Sequence, residues 1–82
     1  MKLKQVEFIK NNGDTRVMKF VSLEDLPREF LMKKIIGNPP QPVPKHLIRV
    51  WDVEKSNFRY INLRHKAGPI RVIGDIEVED LE

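Results

Sequence analysis

His46-Leu47-Ile48-Arg49-Val50-Trp51-Asp52-Val53-Glu54-Lys55-Ser56-Asn57-Phe58-Arg59-Tyr60-Ile61-Asn62-Leu63 decides the fold. Apolar and polar residues alternate on both sides of Glu54-Lys55-Ser56-Asn57, so residues 46–53 and 58–63 read as the two strands of a hairpin. A four-residue loop at 54–57 pairs Val53 with Phe58, Asp52 with Arg59 and Trp51 with Tyr60, which sets an opposite-charge pair beside an aromatic pair. Arg49 and Arg59 are expected on the face of Trp51, with Tyr60 and Asn62 across the hairpin. Downstream, residues 66–69 turn the chain and residues 70–73 make a further strand that Gly74 ends. Ile76 and Val78 keep the alternation, so residues 75–82 are expected as a last short strand or an acidic C-terminal tail.

Upstream, Val6 and Phe8 alternate with polar neighbours, Asn11-Asn12-Gly13-Asp14 supplies turn chemistry, and residues 16–21 resume an extended pattern. A two-residue Asn-Gly turn would set Val6 opposite Lys19 and Phe8 opposite Val17. An odd-length loop instead pairs Phe8 with Met18, Val6 with Phe20 and Glu7 with Lys19. That register gives one apolar face and is preferred, with Gly13 supplying a positive φ. Ser22-Leu23-Glu24-Asp25-Leu26-Pro27 then opens a short helix over about 26–36, capped by Ser22 or Asp25 and ended by Gly37 in a left-handed conformation. Asn38-Pro39-Pro40-Gln41-Pro42-Val43-Pro44-Lys45 follows as an extended, stiff connector that crosses the barrel, because its prolines remove donors and fix φ. Its spacing also matches that of a polyproline ligand.

Five or six short strands with one helix inserted between the second and third favour a mainly β domain, a small closed or half-closed antiparallel barrel in place of an open sheet with exposed edges. The 82 residues allow one domain, residues 1–74, plus the acidic end, and the 40% apolar content suffices for a thin core. There is no cysteine, hence no disulfide, Cys-based zinc site or Cys nucleophile. The apolar runs are too short for a membrane span, so a small soluble intracellular domain is expected, with no membrane partner. The net charge of +3 divides unevenly: residues 1–74 hold all 15 Lys and Arg against seven acids, a net of +8, and residues 75–82 carry five acids and no base. A body so charged attracts polyanions, and an acidic end can screen it.

Two segments look familiar. Phe8-x-Lys10-x-x-Gly13-x-x-Arg16 in the first hairpin and Ile48-Arg49-Val50-Trp51-Asp52-Val53-Glu54-Lys55-x-x-Phe58-Arg59-x-Ile61-x-Leu63 in the second resemble a family of small phage and bacterial proteins, the second WYL-type group. The resemblance covers roughly residues 6–23 and 47–63, and the present chain has a longer middle, Pro27 to Lys45, and the appended acidic end. It implies an Sm-like, SH3-type β-barrel and a bacterial cytoplasm, or the host's if phage-encoded. It carries no catalytic residue.

Catalysis and cofactors find no footing in the residues. His46 and His65 stand on different turns beside Lys45 and Lys66, which disfavours a metal ion. Thr15, Ser22 and Ser56 each occupy a turn or cap position, and the glycines are too isolated for a phosphate loop. The expectation is a non-enzymatic binding module with no cofactor, no metal and no small-molecule substrate. Nucleic acid, as RNA or single strands, is the expected ligand, held by Arg49, Arg59, Arg64, Lys66 and Arg71 with Trp51 and Tyr60 as stacking platforms. The alternative is a protein-interaction module that binds a host protein or a second copy through Phe30, Leu31, Met32, Ile35 and Ile36 and the barrel edge, since one side of a short helix cannot bury all of these.

Overall fold

The computed structural model describes residues 1–37 and 39–81; Asn38 of the connector and Glu82 of the acidic end lie outside the described residues. Five antiparallel strands form one sheet: β1 (Lys2–Ile9), β2 (Thr15–Ser22), β3 (Leu47–Asp52), β4 (Asn57–Asn62) and β5 (Arg71–Asp75), in the order β4-β3-β2-β1-β5. One helix, α1 (Arg28–Ile35), sits between β2 and β3. This is the mainly β, small barrel-like architecture expected, with one qualification: β4 and β5 are the two edges of the sheet, so the barrel is not closed.

Both hairpins pair two residues away from the expected register. In the first, Val6 lies opposite Met18, Glu7 opposite Val17, and Phe8 opposite Arg16. The loop is odd-length, as expected, and Gly13 has φ +89°. Its position is fixed by Lys10 N–H donating to Asp14 O (2.7 Å), Gly13 N–H to Lys10 O (3.0 Å), and Asp14 N–H to Asn12 Oδ1 (3.0 Å). A two-residue shift leaves every side chain on its face, so burial cannot choose between the two registers and the turn does. The expected direct pairing of Glu7 with Lys19 is the feature lost, and Lys19 sits opposite Gln5.

In the second hairpin Trp51 lies opposite Phe58, Asp52 opposite Asn57, and Arg49 opposite Tyr60, so neither Trp51–Tyr60 nor Asp52–Arg59 forms. The turn closes at Asp52, whose Oδ1 accepts from Glu54 N (2.9 Å) and Lys55 N (3.1 Å), while Ser56 takes φ +50°. Arg59 pairs with Val50 and therefore points to the opposite face from Arg49 and Trp51, which corrects the shared face expected for the two arginines.

The sheet is buried on both sides of its centre. Val6, Met18, Phe20, Val50 and Ile61 form one core, with Phe8 and Ile70 packed against it. On the other face Val21, Leu26, Phe30, Trp51, Phe58 and Leu81 form the second. Trp51 anchors this core: the rings of Phe30 and Phe58 each meet it edge-on at 5.1 Å.

α1 starts later than expected because Leu26 (ψ 140°) and Pro27 (ψ 139°) are both extended, as a residue before proline prefers. No side chain caps it; Ser22 Oγ instead accepts from Lys4 Nζ at 2.9 Å. Among the described glycines only Gly13 has positive φ, so Gly37 does not supply the expected left-handed cap. Residues 39–45 are exposed along their whole length and connect α1 to β3 over the surface.

The acidic end is built into the fold. Ile76 N donates to Met1 O (2.8 Å) and Met1 N to Ile76 O (2.9 Å), which ties this segment to the first residue of the chain, next to the start of β1. Residues 76–81 are neither strand nor free tail. A 3-10 turn over Val78–Leu81 folds back and places Leu81, 1% exposed, in the Trp51 core. Asp75, Glu77, Glu79 and Asp80 face solvent.

Candidate nucleic-acid interface

The loop after β1 presents Lys10 and Asn11 at the tip of the first hairpin. Arg16, the second residue of β2, lies opposite Phe8 with its guanidinium carbon 6.0 Å from the ring centre. The third contribution arrives from far along the sequence. After β4 the chain forms a 3-10 turn over Leu63–His65, capped by Asn62 Oδ1, which accepts from Arg64 N (3.0 Å). Leu63 N–H to His46 O (2.8 Å) fixes the start of this turn. Its exit is held to β1 by the Phe8–Lys66 bridge and by Ala67 N–H to Glu7 O (2.8 Å). The path across the open end of the barrel therefore lays Arg64, His65 and Lys66 against the tip of the first hairpin.

Two adjoining hollows of about 350 and 280 Å³ lie in this junction and share Ile9, Lys10, Asn11 and His65. Phe8, Arg16, Tyr60, Ile61 and Asn62 complete the larger, and Arg64 and Lys66 complete the smaller. Four basic side chains, Lys10, Arg16, Arg64 and Lys66, thus border one cleft, and among the described residues no Asp or Glu lines it. Tyr60 is 42% exposed there. The acidic end docks beside the start of β1, and this cleft lies at the other end of that strand, about 20 Å away at the rise of an extended chain.

Of the residues expected to bind nucleic acid, the fold brings together Tyr60, Arg64 and Lys66. Trp51 is 2% exposed and belongs to the core, so it is no stacking platform. Arg49 lies with its guanidinium 4.1 Å from the Phe58 ring centre, outside both hollows. Arg59 is half-buried and lines neither. Arg71, on β5, borders a separate hollow of about 120 Å³ with Gln5, Gly68 and Pro69. The residues not foreseen are Lys10, Asn11 and Arg16. Lys10 and Arg16 flank Gly13 in the first hairpin, and nothing local to that turn points to residues 60–66.

The helix set divides in the same way. Phe30 is buried, and Leu31 and Ile35 pack against the Trp51 core, so these three plug the sheet. Met32 and Ile36, one turn apart, are 55% and 84% exposed. Among the described residues no group of three or more His, Asp or Glu could hold a metal ion, and no helix is long and apolar enough to cross a membrane. Comparison of the chain with family models, with curated proteins and with solved structures finds no match in any of the three.

Proposed function

We propose that this protein is a non-enzymatic module that binds nucleic acid through the cleft between the tip of the first hairpin and residues 60–66. The observation that carries the reading is the border of Lys10, Arg16, Arg64 and Lys66 around a cleft that no carboxylate among the described residues lines. Cations on a concave surface concentrate the field and hold phosphates, and their affinity is set by counterion release. The acidic end supports the same reading, because it is docked at Met1 and through Leu81 and lines neither hollow. The resemblance of the two hairpins to the second WYL-type group fits a phage or bacterial regulator working in the bacterial cytoplasm.

The test is binding of a labelled oligonucleotide across a salt series. Four phosphate contacts give a log–log slope of about −2.8 on single strands and about −3.6 on duplex. Combined Lys10→Glu, Arg64→Glu and Lys66→Glu abolishes binding; unchanged affinity in that variant refutes the reading. A second reading, docking of a host protein or another copy on α1, draws support only from Met32 and Ile36, a far smaller patch than the sequence suggested.

A further inference from the structure

Every residue from Pro39 to Pro44 is a proline or stands immediately before one. The ring fixes φ at about −65° in the prolines, and its bulk holds Gln41 and Val43 in the extended basin. No helix or strand forms over residues 39–44, so local sterics make this strap a polyproline II segment. Both of its ends are anchored. Phe30 of α1 is buried before it, and after it His46 O accepts from Leu63 N–H (2.8 Å). The strap is therefore set in one conformation before any partner arrives.

Nothing in the chain uses that conformation. Residues 39–45 are all exposed, Val43 at 41%. Among the described residues the strap's one backbone hydrogen bond is Leu47 N–H to Pro44 O (3.0 Å), which leaves the carbonyls of residues 39–43 as open acceptors. At three residues per turn, Pro39 and Pro42 share one edge, about 9 Å apart, and Pro40 and Val43 share the next. Two adjacent edges are thus apolar. Lys45 stands three residues past Pro42, and the sequence holds no Asp or Glu between Glu29 and Asp52. We propose that the strap is a docking ligand for a partner protein whose groove is lined by aromatic side chains and rimmed by carboxylates. Proline rings and Val43 seat between the aromatic faces, aromatic O–H or N–H groups donate to the open carbonyls, and Lys45 meets the acidic rim. Little ordering is lost on binding, because the segment is already stiff. No strap residue lines the cationic cleft, so this surface is separate from the nucleic-acid reading and stands without it.

The experiment titrates an unlabelled SH3 domain, and separately a WW domain, into the full isotope-labelled chain and follows its backbone amides by NMR. At least one domain is expected to give saturable shifts at Gln41, Val43 and Lys45, with residues 8–11 and 64–66 unmoved. Pro39→Ala combined with Pro42→Ala lowers that affinity roughly 4- to 30-fold, since a looser strap must be ordered on binding. Both positions are exposed, so the variant keeps its fold by circular dichroism. Lys45→Glu weakens the same complex and Lys45→Arg retains it. No saturable shift in the strap with either domain overturns the proposal. So does a Pro39→Ala, Pro42→Ala variant that melts at a lower temperature yet binds as the wild type does, the behaviour of a connector alone.

Discussion

Leu81→Ala tests whether the acidic end belongs to the fold. Leu81 is 1% exposed and shares a core with Trp51, Phe30, Phe58, Val21 and Leu26. Truncating a buried leucine removes its transfer free energy and leaves a cavity, together about 2–5 kcal/mol. The lower end applies here, because a terminal segment can collapse or detach instead of holding the cavity open. A chain of 82 residues has a total stability of about 4–12 kcal/mol, so even about 2 kcal/mol is a substantial fraction. For a domain of this size each kcal/mol moves the melting temperature by roughly 4–8 °C, giving a fall of about 10 °C or more. Thermal unfolding is followed by circular dichroism and by the fluorescence of Trp51, the single tryptophan, whose emission shifts to the red as this core opens. Glu79→Ala, on the exposed side of the same segment, is the control and changes stability by less than about 0.5 kcal/mol. A wild-type melting temperature for Leu81→Ala would refute the docking of this segment. So would a rise in polyanion affinity without loss of stability when residues 75–82 are deleted, the behaviour of a loose masking tail.

Met32→Asp and Ile36→Asp leave the melting temperature within a few degrees of wild type because both positions face solvent, whereas Phe30→Asp unfolds the domain by burying a carboxylate against Trp51; a circular dichroism melt separates the two classes. Asp52→Ala leaves the N–H groups of Glu54 and Lys55 without their acceptor and costs about 1–3 kcal/mol, while Asp52→Asn keeps an acceptor oxygen and costs less, as urea unfolding reads directly. Gly13→Ala meets no neighbouring atom within 4 Å, so its cost of about 1 kcal/mol comes from the positive φ alone, and Gly13→Asn recovers part of it in the same assay.

How much could be read from the chain follows from the range of each interaction. Alternation placed the strands around Trp51, and Gly13 marked the left-handed turn residue, because strand periodicity and turn chemistry are local. Register was less legible. Sliding either hairpin by two residues preserves its faces, and the choice fell to short hydrogen bonds at Asp52 and at Asn12 and Asp14 that an attractive cross-strand charge pair obscured. The fate of Leu81 was hidden inside an acidic run, although Ile76, Val78 and Leu81 form a sparse apolar thread through it.

The cationic cleft was the hardest feature to foresee, since it joins residues 8–16 to residues 60–66. Nothing in either segment announces the other. Their meeting depends on the return of the chain across the open end of the barrel, recorded in the Phe8–Lys66 bridge. The cations are evident in the sequence, but alternation gathers them around the second hairpin, where Trp51 reads as a platform. Packing instead spent Trp51 on the core and left Tyr60, three residues from the Leu63–His65 turn, as the exposed aromatic of the site.

The most direct test of this account is a two-dimensional amide NMR titration of the labelled protein with a short single-stranded RNA. The account predicts saturable shifts concentrated at residues 8–11, at Arg16 and at residues 60–66, with residues 28–36 and 75–81 unmoved. Shifts confined to the helix or to the acidic end, or no shifts at any concentration, would contradict it.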